Sequence, residues 1–333
     1  MSDPQAPLIF GCAGPILSKA EAAFFHRVQP FGFILFARNV ETPIKLTALC
    51  ADLRAAVGWH APILIDQEGG RVQRMGPPHW SQFPPPLDDA EHPAAQRLFW
   101  LRGRIIAHEL MSVGVDVNCA PTMDVVRPQT HPFLRNRCYG GAPDQVIRLA
   151  RAMSDGQEHG GILSVMKHMP GHGLAEADSH KDLPKVDMDA DALFQSDFAP
   201  FKALNDLPMG MTAHIRFTAL DDQVPATQSD RMITLIRENI GFSGLLMTDD
   251  ISMEALDGDV VTRAQASWAA GCDVVLHCNG KMDEMTALAN ASPGFSIPSQ
   301  RRVHTVLQNR PQAQNIDISA VKLEFETLSG TKL

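Results

Sequence analysis

The sequence lacks the features that would send it into a membrane, through a secretion pathway or onto a polyanion. No stretch of its 333 residues approaches the roughly 18 consecutive apolar residues that a membrane span needs. The N-terminus has neither a basic start nor a long apolar core. Asp3 and Pro4 precede only the short run Leu8-Ile9-Phe10, so no secretory signal is read there. No long basic run occurs and the net charge is −9, which argues against nucleic acid and other polyanionic partners. The six cysteines (Cys12, Cys50, Cys119, Cys138, Cys272 and Cys278) contain no C-x-x-C pair and read as reduced thiols. A cytoplasmic location is therefore expected. No G-x-G-x-x-G follows the first strand, where Gly11-Cys12-Ala13-Gly14 runs into Pro15. That removes the main support for an open dinucleotide-binding sheet and for hydride transfer. No linker divides the chain either, because the proline-rich stretch from Pro77 to Pro86 lies between a strand and a helix and reads as a βα loop.

What is present is a regular alternation. Apolar residues make up 44% of the chain and charged residues 20%, enough for a sizeable core. Short apolar runs at Leu8–Ala13, Gly32–Phe36, Ile63–Asp66, Val115–Cys119, Ser164–His168, Met209–Thr212, Gly244–Thr248 and Val274–His277 read as strands. Amphipathic stretches separate them. In one, Leu46, Leu49, Cys50, Leu53 and Val57 share a face while Lys45, Asp52 and Arg54 point away. Continuous apolar strands alternating with helices imply a parallel sheet covered on both faces, and eight such units close a (β/α)₈ barrel. One barrel is expected over residues 1–333, with a loosely packed polar tail from about residue 311 that has room for one helix.

Chemistry in such a barrel belongs to the C-terminal strand ends, and here those ends are polar. The third strand runs into Asp66-Gln67-Glu68-Gly69-Gly70-Arg71-Val72-Gln73-Arg74, and the fifth into Lys167-His168-Met169-Pro170-Gly171-His172-Gly173 and then Asp178-Ser179-His180. The sixth ends in Thr212-Ala213-His214, the seventh in Thr248-Asp249-Asp250 and the eighth in His277-Cys278-Asn279. Any one of these fits a cap or a turn, but five together point to a convergent site. An aspartate two residues from a histidine can orient the imidazole and raise its pKa, as a general acid/base requires, although a solvated loop would have the same composition. Strand alternation lets only one of Asp249 and Asp250 face inward, and spacing does not choose between them. Asp66, Arg74, Arg137, Lys167 and His168 offer charged hydrogen bonds to sugar hydroxyls, or to phosphate. His168, His172, His180 and His214 can be drawn as a metal site, but Pro170 and Gly171 break helical register between the first two, so no metal is assigned.

Four motifs, Asp66-Gln67-Glu68-Gly69-Gly70-Arg71-Val72, Lys167-His168-Met169-Pro170-Gly171-His172-Gly173, Asp178-Ser179-His180 and Thr248-Asp249-Asp250-Ile251-Ser252-Met253, resemble in order and wording those of the family 3 glycoside hydrolases, and most closely the single-domain NagZ-type β-N-acetylglucosaminidases of bacteria. The resemblance runs from about residue 7 to 290. It implies a (β/α)₈ barrel, Asp249 as nucleophile, His180 as acid/base with Asp178 as its partner, and no catalytic role for Asp250. It also implies that Asp66, Arg74, Arg137, Lys167 and His168 bind the sugar. The implied substrate is a small molecule, an amino-sugar disaccharide or muropeptide bearing terminal β-linked N-acetylglucosamine on 1,6-anhydro-N-acetylmuramic acid. No cofactor, nucleic acid, membrane or oligomer is implied. Asn136-Arg137-Cys138-Tyr139 departs from the family's usual Asp-Arg-Ser-Phe, and Met169 stands where an aromatic or branched residue is common. A histidine acid/base does not repel an anionic acceptor as a carboxylate would, so phosphorolysis is an alternative to hydrolysis, and metal-dependent hydrolysis is a more remote one.

Overall fold

A computed structural model describes residues 4–175 and 183–333. All eight expected strands are present: β1 (Ala6–Gly11), β2 (Pro30–Leu35), β3 (Ile63–Ile65), β4 (Val117–Asn118), β5 (Leu163–Met169), β6 (Met209–Thr212), β7 (Leu245–Asp250) and β8 (Val274–His277). Each pairs in parallel with the next, and β8 returns to β1 with Val275 opposite Leu8, so the sheet closes. Alternation along each strand divides the apolar residues into two sets. Ile9, Leu64, Val117, Val165, Met209, Leu245 and Met247 fill the barrel interior. Phe10, Ile65, Met166, Leu246 and Val275 face the surrounding helices.

The helices that position this barrel are α1 (Lys19–Val28), α2 (Pro43–Val57), α3 (Ala95–Ser112), α4 (Pro143–His159), α5 (Asp230–Glu238), α6 (Val260–Ala270), α7 (Met282–Ala291), α8 (Ile297–Gln308) and α9 (Ile318–Ser329). Local chemistry sets their ends. Ser18 and Glu21 form a reciprocal capping box at the start of α1. Thr42 caps α2, Pro43 opens it and Gly58 ends it at φ 74°. The stripe Leu46, Leu49, Cys50, Leu53 and Val57 is buried as expected. Helices α3 and α4 approach closely through glycine. A Cβ on Gly103 would lie 2.3 Å from the Met153 carbonyl oxygen, and one on Gly156 would lie 2.2 Å from that of Trp100. Helix α8 plugs the N-terminal mouth of the barrel. Its Val303 and Val306 join the interior set, while Ser299 and Arg302 bind Asp273 just before β8 at 2.7 and 2.9 Å.

The C-terminal segment is not the loose tail expected. Helix α9 docks on α3, with Val321 and Phe325 buried and the Phe325 ring 5.5 Å from that of Phe83. Lys322 reaches Glu109 at 2.7 Å, and Arg97 holds Glu324 through two bonds of 2.7 and 2.8 Å. Ile318, Val321, Phe325 and Leu328 recur at helical spacing, and burying that stripe outweighs the polarity around it. Among the described residues, no helix is long and apolar enough to cross a membrane.

Candidate active site

Three inward rows of the barrel turn from apolar to charged at their C-terminal ends. On β5 the row Leu163–Val165 is followed two residues on by Lys167, and on β7 the row Leu245–Met247 is followed by Asp249. After β3, Leu64 is followed by Asp66 and then Glu68. The period of two aims these side chains into the barrel mouth. There Asp66, Lys167 and Asp249 line a cavity of about 260 Å³ together with Arg71, Arg74, Arg137, His168, His172, Phe36 and Phe133, while Glu68 is buried and does not line it.

The charges in the wall are matched. Asp66 accepts from Lys167 Nζ at 2.8 Å and from Arg74 Nη2 at 3.0 Å. Glu68, fully buried beneath it, takes both arms of Arg137 at 2.9 Å each, and Lys167 Nζ lies 2.6 Å from it. Burial alone would raise both carboxyl pKa values. The cations outweigh burial: Lys167 and Arg74 hold Asp66 well below the carboxylate range, and Arg137 and Lys167 bring Glu68 down to about 2. Burial would also strip the proton from Lys167, but Asp66 and Glu68 reverse this and hold the ammonium above its ordinary value. The charged groups of the wall thus form an alternating network, in which Arg74, Arg137 and Lys167 are each paired. Arg71, at the exposed rim, stacks over Phe133 at 4.7 Å and has no carboxylate partner among the described residues.

A second cluster holds the imidazoles. His168 Nδ1 lies 2.7 Å from Asp124 Oδ2, and its Nε2 lies 3.4 Å from Arg137 Nη2. Asp124 also accepts from the backbone N–H of His172 at 2.6 Å. The His172 ring packs edge-on to His168 at 5.6 Å, and burial, with His168 beside it, brings its pKa down to about 4. His214 is held by Thr227 at 2.8 Å, and burial lowers its pKa too. Asp249 faces this group. Burial opposes its ionisation, but His168, His214 and the Asp250 N–H (2.8 Å) outweigh that and lower its pKa, leaving a carboxylate at neutral pH.

Geometry separates the two adjacent aspartates that spacing could not. Asp249 continues the inward row of β7. Asp250 also borders the cavity, but its carboxylate is taken up by the following loop, where it accepts from Ser252 N at 3.1 Å, Ser252 Oγ at 2.6 Å and Cys278 N at 3.2 Å. The cavity wall therefore brings together Asp66, Arg74, Arg137, Lys167, His168 and Asp249. Asp178 and His180 lie outside the described residues. Glu68 and Asp124 were not singled out from the sequence. Glu68 shares the parity of Leu64 and Asp66, a usable signal, whereas Asp124 follows a proline loop and has none. Among the described residues, no group of three or more His, Cys, Asp or Glu is arranged to hold a metal ion.

Residues 17–306 match the model of the glycosyl hydrolase family 3 N terminal domain. The chain belongs to glycosyl hydrolase family 3. Within the family it is similar to the beta-hexosaminidase of Bordetella avium, with 36% identity over 286 residues, covering 83% of this chain and 81% of that one. That of Alkalilimnicola ehrlichii is also 36% identical, over 93% of this chain and 90% of its own length. Among solved structures, NagZ from Neisseria gonorrhoeae in complex with N-trifluoroacetyl-D-glucosamine superimposes with a TM-score of 0.85 at 30% identity, covering 98% of this chain and 97% of that one. The family 3 β-N-acetylglucosaminidase from Paenibacillus sp. gives a TM-score of 0.86 at 26% identity, over 97% of this chain and 67% of that one. The family 3 barrel expected from the four motifs is the fold observed.

Proposed function

We propose that this family 3 glycoside hydrolase is a β-N-acetylglucosaminidase that releases terminal β-linked N-acetylglucosamine from peptidoglycan fragments ending in 1,6-anhydro-N-acetylmuramic acid, in cytoplasmic cell-wall recycling. The observation that carries this reading is Asp249: a carboxylate ionised at neutral pH, at the end of an inward barrel row, facing a cavity walled by paired charges. The Neisseria NagZ structure, with its N-acylglucosamine analogue, supports the choice of sugar.

In the first step, an oxygen of Asp249 forms a bond to the anomeric carbon as the glycosidic bond breaks, and His180 gives its proton to the departing oxygen. In the second step, His180 takes a proton from water, the water oxygen bonds to the anomeric carbon, and the bond to Asp249 breaks. The products are the free sugar, with retained configuration, and the aglycone alcohol. Asp178 serves to orient His180. Both assignments come from the Asp178-Ser179-His180 motif, which lies outside the described residues. Asp66, Arg74, Arg137, Lys167 and His168 bind the sugar. Because these groups already hold one another in place, they meet sugar hydroxyls without reorganising.

The test is an aryl β-N-acetylglucosaminide, with and without phosphate, followed by NMR of the anomeric product. Retained free sugar is expected. No turnover, or an inverted product, overturns the reading, and glycosyl phosphate as the main product would make the enzyme a phosphorylase. Asp249→Ala is expected to abolish turnover, and full activity in that variant would place the nucleophile elsewhere.

A further inference from the structure

We infer that Asp124 is a positioning residue for this reaction: one buried carboxylate sets the tautomer and the direction of the His168 ring that faces the sugar. Asp124 has no exposed surface and lies in the segment after β4, away from all four sequence motifs. Its two oxygens meet three donors. Oδ1 accepts from the backbone N–H of His168 at 3.3 Å and from that of His172 at 2.6 Å, while Oδ2 lies 2.7 Å from His168 Nδ1. Burial would raise the Asp124 pKa, but His168, through its charge and its hydrogen bond, outweighs this and lowers it. An ionised carboxylate can only accept, so Nδ1 carries the proton.

This fixes what the rest of the ring can do. In the neutral imidazole, Nε2 is then the acceptor, and the group 3.4 Å from it is Arg137 Nη2, which can only donate. The other tautomer would set a donor against that donor. Whenever the ring is neutral, Asp124 therefore keeps the pair Arg137–His168 attractive and holds the acceptor face of the ring towards the cavity. It also joins the ring to the backbone of the Pro170–Gly171–His172 turn, so ring and turn cannot move separately.

Asp124→Asn has nearly the same size but replaces one acceptor oxygen with an NH₂ donor. If its oxygen stays on the two backbone donors, the NH₂ faces Nδ1. The ring must then give up the Nδ1 proton and carry it on Nε2, against Arg137. The expected result is a kcat/KM lower by about 10- to 100-fold, typical of a reacting geometry disturbed by a displaced binding group. The loss should divide between KM and kcat, and thermal unfolding checks that the variant is folded at the assay temperature. Ring ¹⁵N–¹H correlation spectra at alkaline pH give a readout that a merely structural role would not move. His168 should be the Nδ1–H tautomer in the unmodified protein and Nε2–H in the variant. A wild-type Nε2–H ring overturns the inference even if the variant fails to fold. So does an unchanged tautomer, or a kcat/KM within about twofold of wild type. The inference rests on His168 as a sugar contact. Wild-type turnover tests that reading separately, because the tautomer is readable with no substrate present.

Discussion

Glu68→Gln is the substitution that would test the buried network most directly. Glu68 is completely buried and takes two hydrogen bonds of 2.9 Å from Arg137, with Lys167 Nζ 2.6 Å away. The amide keeps the volume but removes the charge, and it points an NH₂ at one of the two cations. Removing one member of a buried charge pair costs about 3–5 kcal/mol, because the partner is left buried and uncompensated. Asp66 still holds Lys167, so most of the cost falls on Arg137. With about 2.1 cal/mol/K of unfolding entropy per residue, a chain of 333 residues loses about 4–7 °C of melting temperature for that cost. Lys167 and Arg137 would also lose their common anchor, and kcat/KM should fall by at least about tenfold. Thermal unfolding by circular dichroism and initial rates on an aryl glycoside measure both effects. A double-mutant cycle with Arg137→Met gives the coupling. The double variant should be less destabilised than the sum of the single ones, since each leaves the other's charge stranded. A melting shift under about 1 °C, or additive single effects, would refute the argument that these groups form one buried unit.

Three other outcomes follow from the same structure. Asp250→Ala removes three bonds to Ser252 and Cys278, so it should cost about 1–3 kcal/mol in urea unfolding while leaving substantial turnover. Asp66 and Glu68 have pKa values lowered on folding, so their contribution to stability is complete above the unfolded carboxylate range and is lost as pH falls towards about 2. Unfolding free energy should accordingly drop steeply on acidification below about pH 4.5, and Glu68→Gln should flatten that slope. Phe325→Ala opens a cavity between α9 and Phe83 and should cost about 3–5 kcal/mol, with kcat of the folded protein unchanged.

Much of this was legible because the chemistry continues the fold's own rhythm. Leu64 and Asp66, Val165 and Lys167, and Met247 and Asp249 are each two residues apart, so the period that places an apolar side chain inside also aims its polar successor into the barrel mouth. The same rule, applied to the end of β7, distinguishes Asp249 from Asp250 once the strand's register is known. One site residue had no such carrier. Asp124 earns its position from a loop whose path depends on contacts far away in sequence, and no spacing marks it. Glu68 sat within a recognised motif, but a carboxylate that binds substrate and one that braces the binders have the same sequence signature. In α9, four well-spaced apolar residues were outvoted by the charges between them, because composition averages over a helix and burial depends on one face of it.

The gradient along the inward rows bears on how this enzyme can change. On β5 and β7, two apolar layers (Leu163 and Val165, Leu245 and Met247) precede one charged layer, so folding and chemistry occupy different heights of the same strand. A substitution in the lower layers is judged by volume, and one at the top by charge and reach. The rim residues Arg71, Phe133 and Met253 come from connections between strand and helix, Phe133 from the short helix Pro132–Arg135, and belong to neither layer. Variation there can alter which aglycones are admitted while the barrel below and the charged floor stay as they are. New specificities should therefore arise by exchange of rim loops, and thermal adaptation by repacking the layers beneath.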